Sequence, residues 1–138
     1  MADSVEKPRL TGAEPQLFVA DIRTSCDFFI KKLGFEVAFM YGDPPFYAQV
    51  FRDQARLNLR HVDAPPFDKG LREREDLLSA VVTLDSVDGI RALFREVKGA
   101  GAPLHQELRL EPWGAHTFIV KDPDGNLLLF AGPTEQEA

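Results

Sequence analysis

Residues 121–130 read KDPDGNLLLF. Asp122, Pro123, Asp124, Gly125 and Asn126 make a tight turn, because Pro123 presets φ and Gly125 or Asn126 accepts a positive φ. The apolar run that follows reads as a buried strand. A turn of this chemistry feeding a strand near the end of the chain closes a supersecondary unit, and the same kind of unit stands earlier in the chain.

Outward from this stretch the pattern repeats. EPQLFVA (14–20) reads as a strand and DIRTSCDFFIKKLGF (21–35) as a short helix. Asp21 or Thr24 caps that helix, Ile22, Phe29, Ile30 and Leu33 supply its apolar stripe, and Gly34 ends it. FEVAFMY (35–41), FYAQVF (46–51) and ARLNLRH (55–61) are strands, and Phe35, Val37, Phe39 and Tyr41 share one face if the alternation is unbroken. VDAPPFDKGLREREDL (62–77) breaks all periodicity and reads as a connector with a solvated charge run. SAVVTL (79–84) is a strand. DSVDGIRALFREVKGAG (85–101) is a helix with an Asp85–Asp88 capping pair, a stripe of Val87, Ile90, Phe94 and Val97, and a stop at Gly99 or Gly101. LHQELRL (104–110), AHTFIVK (115–121) and NLLLF (126–130) complete the chain. The order is β-α-β-β-β twice, an internal repeat with one connector. The expected organisation is an arm over 1–13, one domain over 14–132 (modules 14–61 and 79–132 around the connector 62–78) and a tail over 133–138. The class is α+β, with tandem βαβββ modules forming a cupped mixed sheet.

Composition narrows the function. The chain has 138 residues, a formal net charge of −6, 44% hydrophobic and 28% charged residues. That charge argues against a nucleic-acid partner, whose phosphates attract a Lys/Arg excess. MADSVEKPRL has no apolar run and no stretch reaches the length of a membrane span, so the expected address is cytoplasmic. Cys26 is the only cysteine, which fits a reducing compartment.

Period-two alternation divides each strand between a helix side and a concave side. Leu17, Val19, Leu57, Leu59, Ala80, Val82, Leu84, Leu128 and Phe130 go to the helices. Glu14, Gln16, Phe18, Arg56, Asn58 and Arg60 are left to the first concavity, and Ser79, Val81, Thr83, Leu127 and Leu129 to the second. A cup polar on one side and mostly apolar on the other suits a small amphipathic molecule.

VADIRTSCDFFIKKLGF and EPWGAHTFIVKDPDGNLLLF resemble the vicinal oxygen chelate superfamily, which includes glyoxalase I, extradiol dioxygenases, fosfomycin-resistance enzymes and bleomycin-resistance proteins. The resemblance covers about residues 14–132 and is most specific at DPDGN. It implies paired βαβββ modules, the glyoxalase/bleomycin-resistance fold, and commonly a homodimer. Its enzymes hold a divalent metal from the first and last strands of both modules, and repeat alignment carries those positions onto Glu14, Asn58, Ser79 and Leu129. Leu129 has no lone pair to give, and Ser79 and Asn58 are weak neutral donors, so no metal and no cofactor are expected.

Other candidates weigh less. His61 and His105 read as strand-end or surface histidines, whereas His116 follows Trp113-Gly114 in the segment that rims such cups. Trp113 is placed as a stacking surface for a ligand, and Arg60 as a bidentate partner for an anionic group. Cys26 has no basic partner to activate it. The leading expectation is a metal-lacking small-molecule binding protein similar to the bleomycin-resistance branch, with Gln16, Phe18, Asn58, Arg60, Ser79, Trp113, His116 and Leu129 at the ligand. The alternative is a metal-dependent lyase, isomerase or dioxygenase of the same superfamily with a non-standard site, or a metal-free enzyme using Glu14 as base. A third reading is an accessory or regulatory domain acting through its dimer surface.

Overall fold

A computed structural model describes residues 7–134. The first module is β1 (Gln16–Val19), α1 (Ile22–Leu33), β2 (Glu36–Gly42), β3 (Pro45–Arg52) and β4 (Ala55–His61). Asp21 opens α1 with extended backbone, its carboxylate accepting from Thr24 N at 2.9 Å. Gly34 closes α1 at φ 71°, and a Cβ there would also lie 2.8 Å from Arg52 Nη1. Ile22, Cys26, Phe29 and Leu33 recur at helical spacing and are buried with Ser25 and Phe28. Ile30, expected in that stripe, is 45% exposed, because the stripe centres on Cys26 and Phe29 and turns Ile30 outward.

The second module repeats the order as β5 (Ala80–Thr83), α3 (Val87–Gly99), β6 (Leu104–Leu110), β7 (His116–Lys121) and β8 (Leu127–Ala131). Ser86, not the Asp85–Asp88 pair, caps α3 by accepting from Gly89 N at 2.9 Å. Each module forms its own four-stranded mixed sheet, ordered β1-β4-β3-β2 and β5-β8-β7-β6. In both sheets the first and last strands pair in parallel and the remaining pairs are antiparallel. The repeat in the sequence is therefore a repeat of topology.

The connector contains a short helix, α2 (Lys69–Arg74), capped by Asp68. Its charge run is not wholly solvated, since Arg72 is buried. One hydrophobic cluster spans both modules, joining Leu17, Phe29, Leu57 and Leu59 to Ile90, Phe118, Leu128 and Phe130. Polar contacts stitch the seam around it. Arg52 makes a two-pronged bond to Glu96 at 2.6 and 3.1 Å, and Lys32 Nζ donates to Ala100 O at 2.8 Å. Among the described residues no helix is long and apolar enough to cross a membrane.

Candidate functional site

Strand registers assign every side chain to a face. In the first sheet Gln16 pairs with Asn58, Asn58 with Gln49 and Gln49 with Phe39, which makes a central row on the side away from α1. The row beside it is Phe18, Arg60, Tyr47 and Tyr41. Side chains along these rows hold one another. Gln49 Nε2 donates to Asn58 Oδ1 at 2.9 Å, and Arg56 Nη1 donates to Gln49 Oε1 at 3.1 Å while its guanidinium lies 5.2 Å from the Phe51 ring centre. Phe39 stacks on Tyr47 with ring centres 6.0 Å apart. A bulge at Ala38 breaks the expected single aromatic stripe. Phe35 is buried and Val37 stays on the Val50 side, whereas Phe39 and Tyr41 turn to the open face.

The matching central row of the second sheet is Val81, Leu129, Ile119 and Gln106, and its neighbour is Thr83, Ala131, Thr117 and Arg109. This face is apolar in the middle and polar at one corner. There Thr117 Oγ1 donates to Glu111 Oε1 at 3.0 Å, Arg109 Nε donates to the same oxygen, and Gln106 Nε2 donates to Thr117 Oγ1 at 3.0 Å. The Arg109 guanidinium holds the Glu111 carboxyl below the usual carboxylate range, and burial opposes it less strongly. Sequence reading missed this corner. Two register shifts in β6 bring Gln106 and Arg109 to one face despite their odd spacing, and simple alternation carries no trace of them.

The residues singled out from the sequence divide as follows. Gln16, Phe18, Asn58 and Arg60 share the first open face, and Leu129 lies at the centre of the second. Phe18 is covered by the connector's Phe67, with ring centres 6.2 Å apart. Ser79 precedes β5, where its hydroxyl donates to Asn126 Oδ1 at 3.0 Å and accepts from Arg72 Nη2. Trp113 is 64% exposed in the β6–β7 turn, where Gly114 takes φ 94°. His116 shares the face of Phe118 and Val120, the helix side of β7, rather than that of Thr117 and Ile119, and its Nδ1 is buried without a partner among the described residues. The sequence sets His116 at the rim of the cup, and strand alternation turns its side chain to the helix side there. Glu14 lies before β1 and is exposed, not set in an apolar cup. His61 bonds Ala20 O at 2.8 Å and Asp63 at 2.9 Å, while His105 bonds Asp76 at 2.7 Å. Burial pushes the Cys26 thiol up, away from nucleophilic character.

The DPDGN turn does structural work between the modules. Gly125 takes φ 83°. Asp122 Oδ1 accepts from Asp124 N at 2.9 Å and Asn126 N at 2.7 Å, and Oδ2 accepts from Asn126 Nδ2 at 2.9 Å. Asn126 also donates to Phe18 O at 3.2 Å, and Asp124 Oδ1 accepts from Ala20 N at 2.9 Å. The second module's turn thereby grips the end of β1. Burial raises the Asp122 carboxyl to about 6 against those donors.

A family model described as the Glyoxalase/Bleomycin resistance protein/Dioxygenase superfamily matches residues 11–130. A bleomycin resistance protein of Geobacillus stearothermophilus is 30% identical over 129 residues, covering 84% of this chain and 92% of the relative. Among solved structures, the bleomycin-binding protein from bleomycin-producing Streptomyces verticillus, complexed with copper(II)-bleomycin, superposes with a TM-score of 0.69 at 25% identity, covering 92% of this chain and 99% of that one. A glyoxalase/bleomycin resistance protein/dioxygenase from Alicyclobacillus acidocaldarius gives 0.71 at 20% identity, covering 90% and 92%. The chain belongs to the Glyoxalase/Bleomycin resistance protein/Dioxygenase superfamily.

Proposed function

We propose that the protein binds an amphipathic small molecule on its open sheet faces, without a metal. The observation that carries this reading is the contrast between the two central rows, Gln16–Asn58–Gln49 against Val81–Leu129–Ile119. One row offers oriented amides beside Arg60 and the aromatic rings of Tyr47 and Tyr41, and the other offers the aliphatic surface of exposed Val81 and half-buried Leu129, backed by buried Ile119. The names of the relatives, resistance to bleomycin and binding of it, favour ligand capture over turnover.

The residues at the family's metal positions do not fit a divalent cation. Leu129 has no donor atom, Asn58 Oδ1 is taken by Gln49, and the Ser79 hydroxyl is engaged with Arg72 and Asn126. Glu14, the base of the enzymatic alternative, stands exposed before β1.

A homodimer belongs to this reading. Phe46 on the first sheet, Leu110 on the second and Trp113 in the β6–β7 turn are exposed apolar side chains outside the open rows that a second copy would cover. The single cysteine, buried on α1, fits a cytoplasmic address.

The test is a metabolite and antibiotic library, bleomycin included, screened by quenching of Trp113, the only tryptophan. Hits are expected to weaken in Leu129→Glu, because docking must then desolvate a carboxylate. Hits whose affinity by isothermal titration is indifferent to both Leu129→Glu and Trp113→Phe would reject the open faces as the site. Elemental analysis after incubation with zinc, nickel, iron and manganese should find no retained ion. Light scattering at micromolar concentration tests the dimer.

A further inference from the structure

Arg72 is the most unusual charged residue among those described. Only 9% of it is exposed, yet no ion pair among the described residues includes it. Its Nη2 donates to two neutral acceptors, Ser79 Oγ and, at 3.1 Å, Asn126 Oδ1. Its guanidinium lies 4.8 Å from the Phe67 ring centre. Nε and Nη1 have no protein acceptor among the described residues, and neither is sealed from solvent. Its Nη2 is satisfied by neutral acceptors alone, which leaves the solvent-reaching Nε and Nη1 edge for a bidentate anion, the partner this fork is shaped for.

The space for that partner is present. A cavity of about 100 Å³ lies between the connector and the module seam, lined by Arg72, Lys69, Phe67, Phe18, Pro65 and Asp124 among others. At about 30 Å³ per water it holds roughly three water volumes, the size of a carboxylate with a carbon or two. Lys69 is guided to it by the glycine of the DPDGN turn, where a Cβ on Gly125 would lie 3.0 Å from Lys69 Cε. Two carboxylates also border the cavity, and both have partners. Asp124 accepts from Ala20 N at 2.9 Å, and Asp63, its side chain wholly exposed, pairs with His61.

We infer that this cavity is a binding site for a compact carboxylate, held by the free edge of Arg72 with Lys69 as second cation and Phe67 and Phe18 as apolar walls. It adjoins the first open face at Phe18, and it stands whether or not that face takes a ligand. Phe18 borders both, so a larger ligand could seat its carboxylate here and lay its body across the first sheet.

The test is titration of the isotopically labelled full chain with sodium acetate and with sodium phenylacetate. Ionic strength is held constant with chloride, and the Arg72 Nε–H and the backbone amides of residues 67–72 are followed by NMR. Saturable shifts with acetate are expected. Lys69→Gln, which leaves the bonds to Ser79 and Asn126 intact, should weaken acetate by roughly threefold to tenfold without moving the melting temperature. Arg72→Lys should abolish saturation if it folds, and if it does not, Lys69→Gln alone carries the test. Tighter binding of phenylacetate, lost in Phe18→Ala, identifies the carboxylate end of a larger ligand, whereas equal binding identifies a site for a free small anion. Shifts that rise linearly with acetate, or curves unchanged in Lys69→Gln, would overturn the site.

Discussion

The two modules share one topology and differ in where their sequences are constrained. On the helix side, Leu17 pairs with Leu59 in the first sheet and Val82 with Phe130 in the second, all of them apolar. On the open side the matching pairs are Gln16 with Asn58 and Val81 with Leu129. The helix side must stay oily because each helix and the common core lie against it. The open side is less constrained within one chain, although Thr117, Ile119 and Leu127 are buried on it, and it is where the modules diverge. Stability is written on one face of each sheet, and the proposed recognition on the other.

Substitutions on the helix side should break this comparison hardest if it is wrong. Leu59→Ala and Phe130→Ala remove side chains that are 0% and 2% exposed. Each should cost about 3–5 kcal/mol in urea unfolding. Leu129→Asn, which gives the second open row the first row's amide, should cost less than about 1.5 kcal/mol. A cost for Leu129→Asn equal to that for Phe130→Ala would mean that the open face is core after all.

Asp122 sharpens the comparison at the turns. The first module joins β3 to β4 through Asp53 and Gln54 alone, whereas the second spends five residues and a buried carboxylate there. Because the folded value is raised to about 6, folding favours the protonated acid. That contribution is whole below the usual carboxylate range and fades as the pH climbs through about 6. Wild-type stability should therefore fall between pH 4 and 7 by an amount on the order of 2–3 kcal/mol, relative to an Asp122→Asn variant that lacks this dependence. Parallel pH profiles for the two proteins would refute it.

The smallest expected effect lies at the seam. Arg52 holds the Glu96 carboxyl below its usual range, so this pair stabilises the fold above that range and releases it as the pH falls. Both side chains are well over a quarter exposed, at 33% and 48%. Glu96→Gln should accordingly cost no more than about 1 kcal/mol, and less in high salt. A larger, salt-independent loss would show that the modules depend on this contact more than on the shared core.

The fold was legible because the repeat, the capping aspartate at 21, the helix-ending glycine at 34 and the period of the strands all state local rules. What escaped notice depends on contacts remote in sequence or on an inserted residue. The bulges in β2 and β6 move Phe39, Tyr41 and Gln106 to the open faces, and a pattern of period two cannot announce where it will slip. Ser86 displaced the Asp85–Asp88 pair as cap because the chain enters α3 one residue later than the acidic pair implied. Arg72 read as one charge in a run of charges. Only the fold reveals that its partners are Ser79 and Asn126, the latter 54 residues away. The sequence sets His116 near Trp113, but strand parity turns its side chain to the helix side of β7.

The central claim, that recognition belongs to the open faces, is tested most directly by isothermal titration of the tightest library hit into four proteins. These are wild type, Asn58→Leu, Leu129→Glu and, as a helix-side control, Val82→Ala. Affinity is expected to fall at least about tenfold in Asn58→Leu and in Leu129→Glu, a difference of about 1.4 kcal/mol or more, and to hold in Val82→Ala. Unchanged affinity in both open-face variants, with loss only in Val82→Ala, would contradict the account and move the site to the helix side.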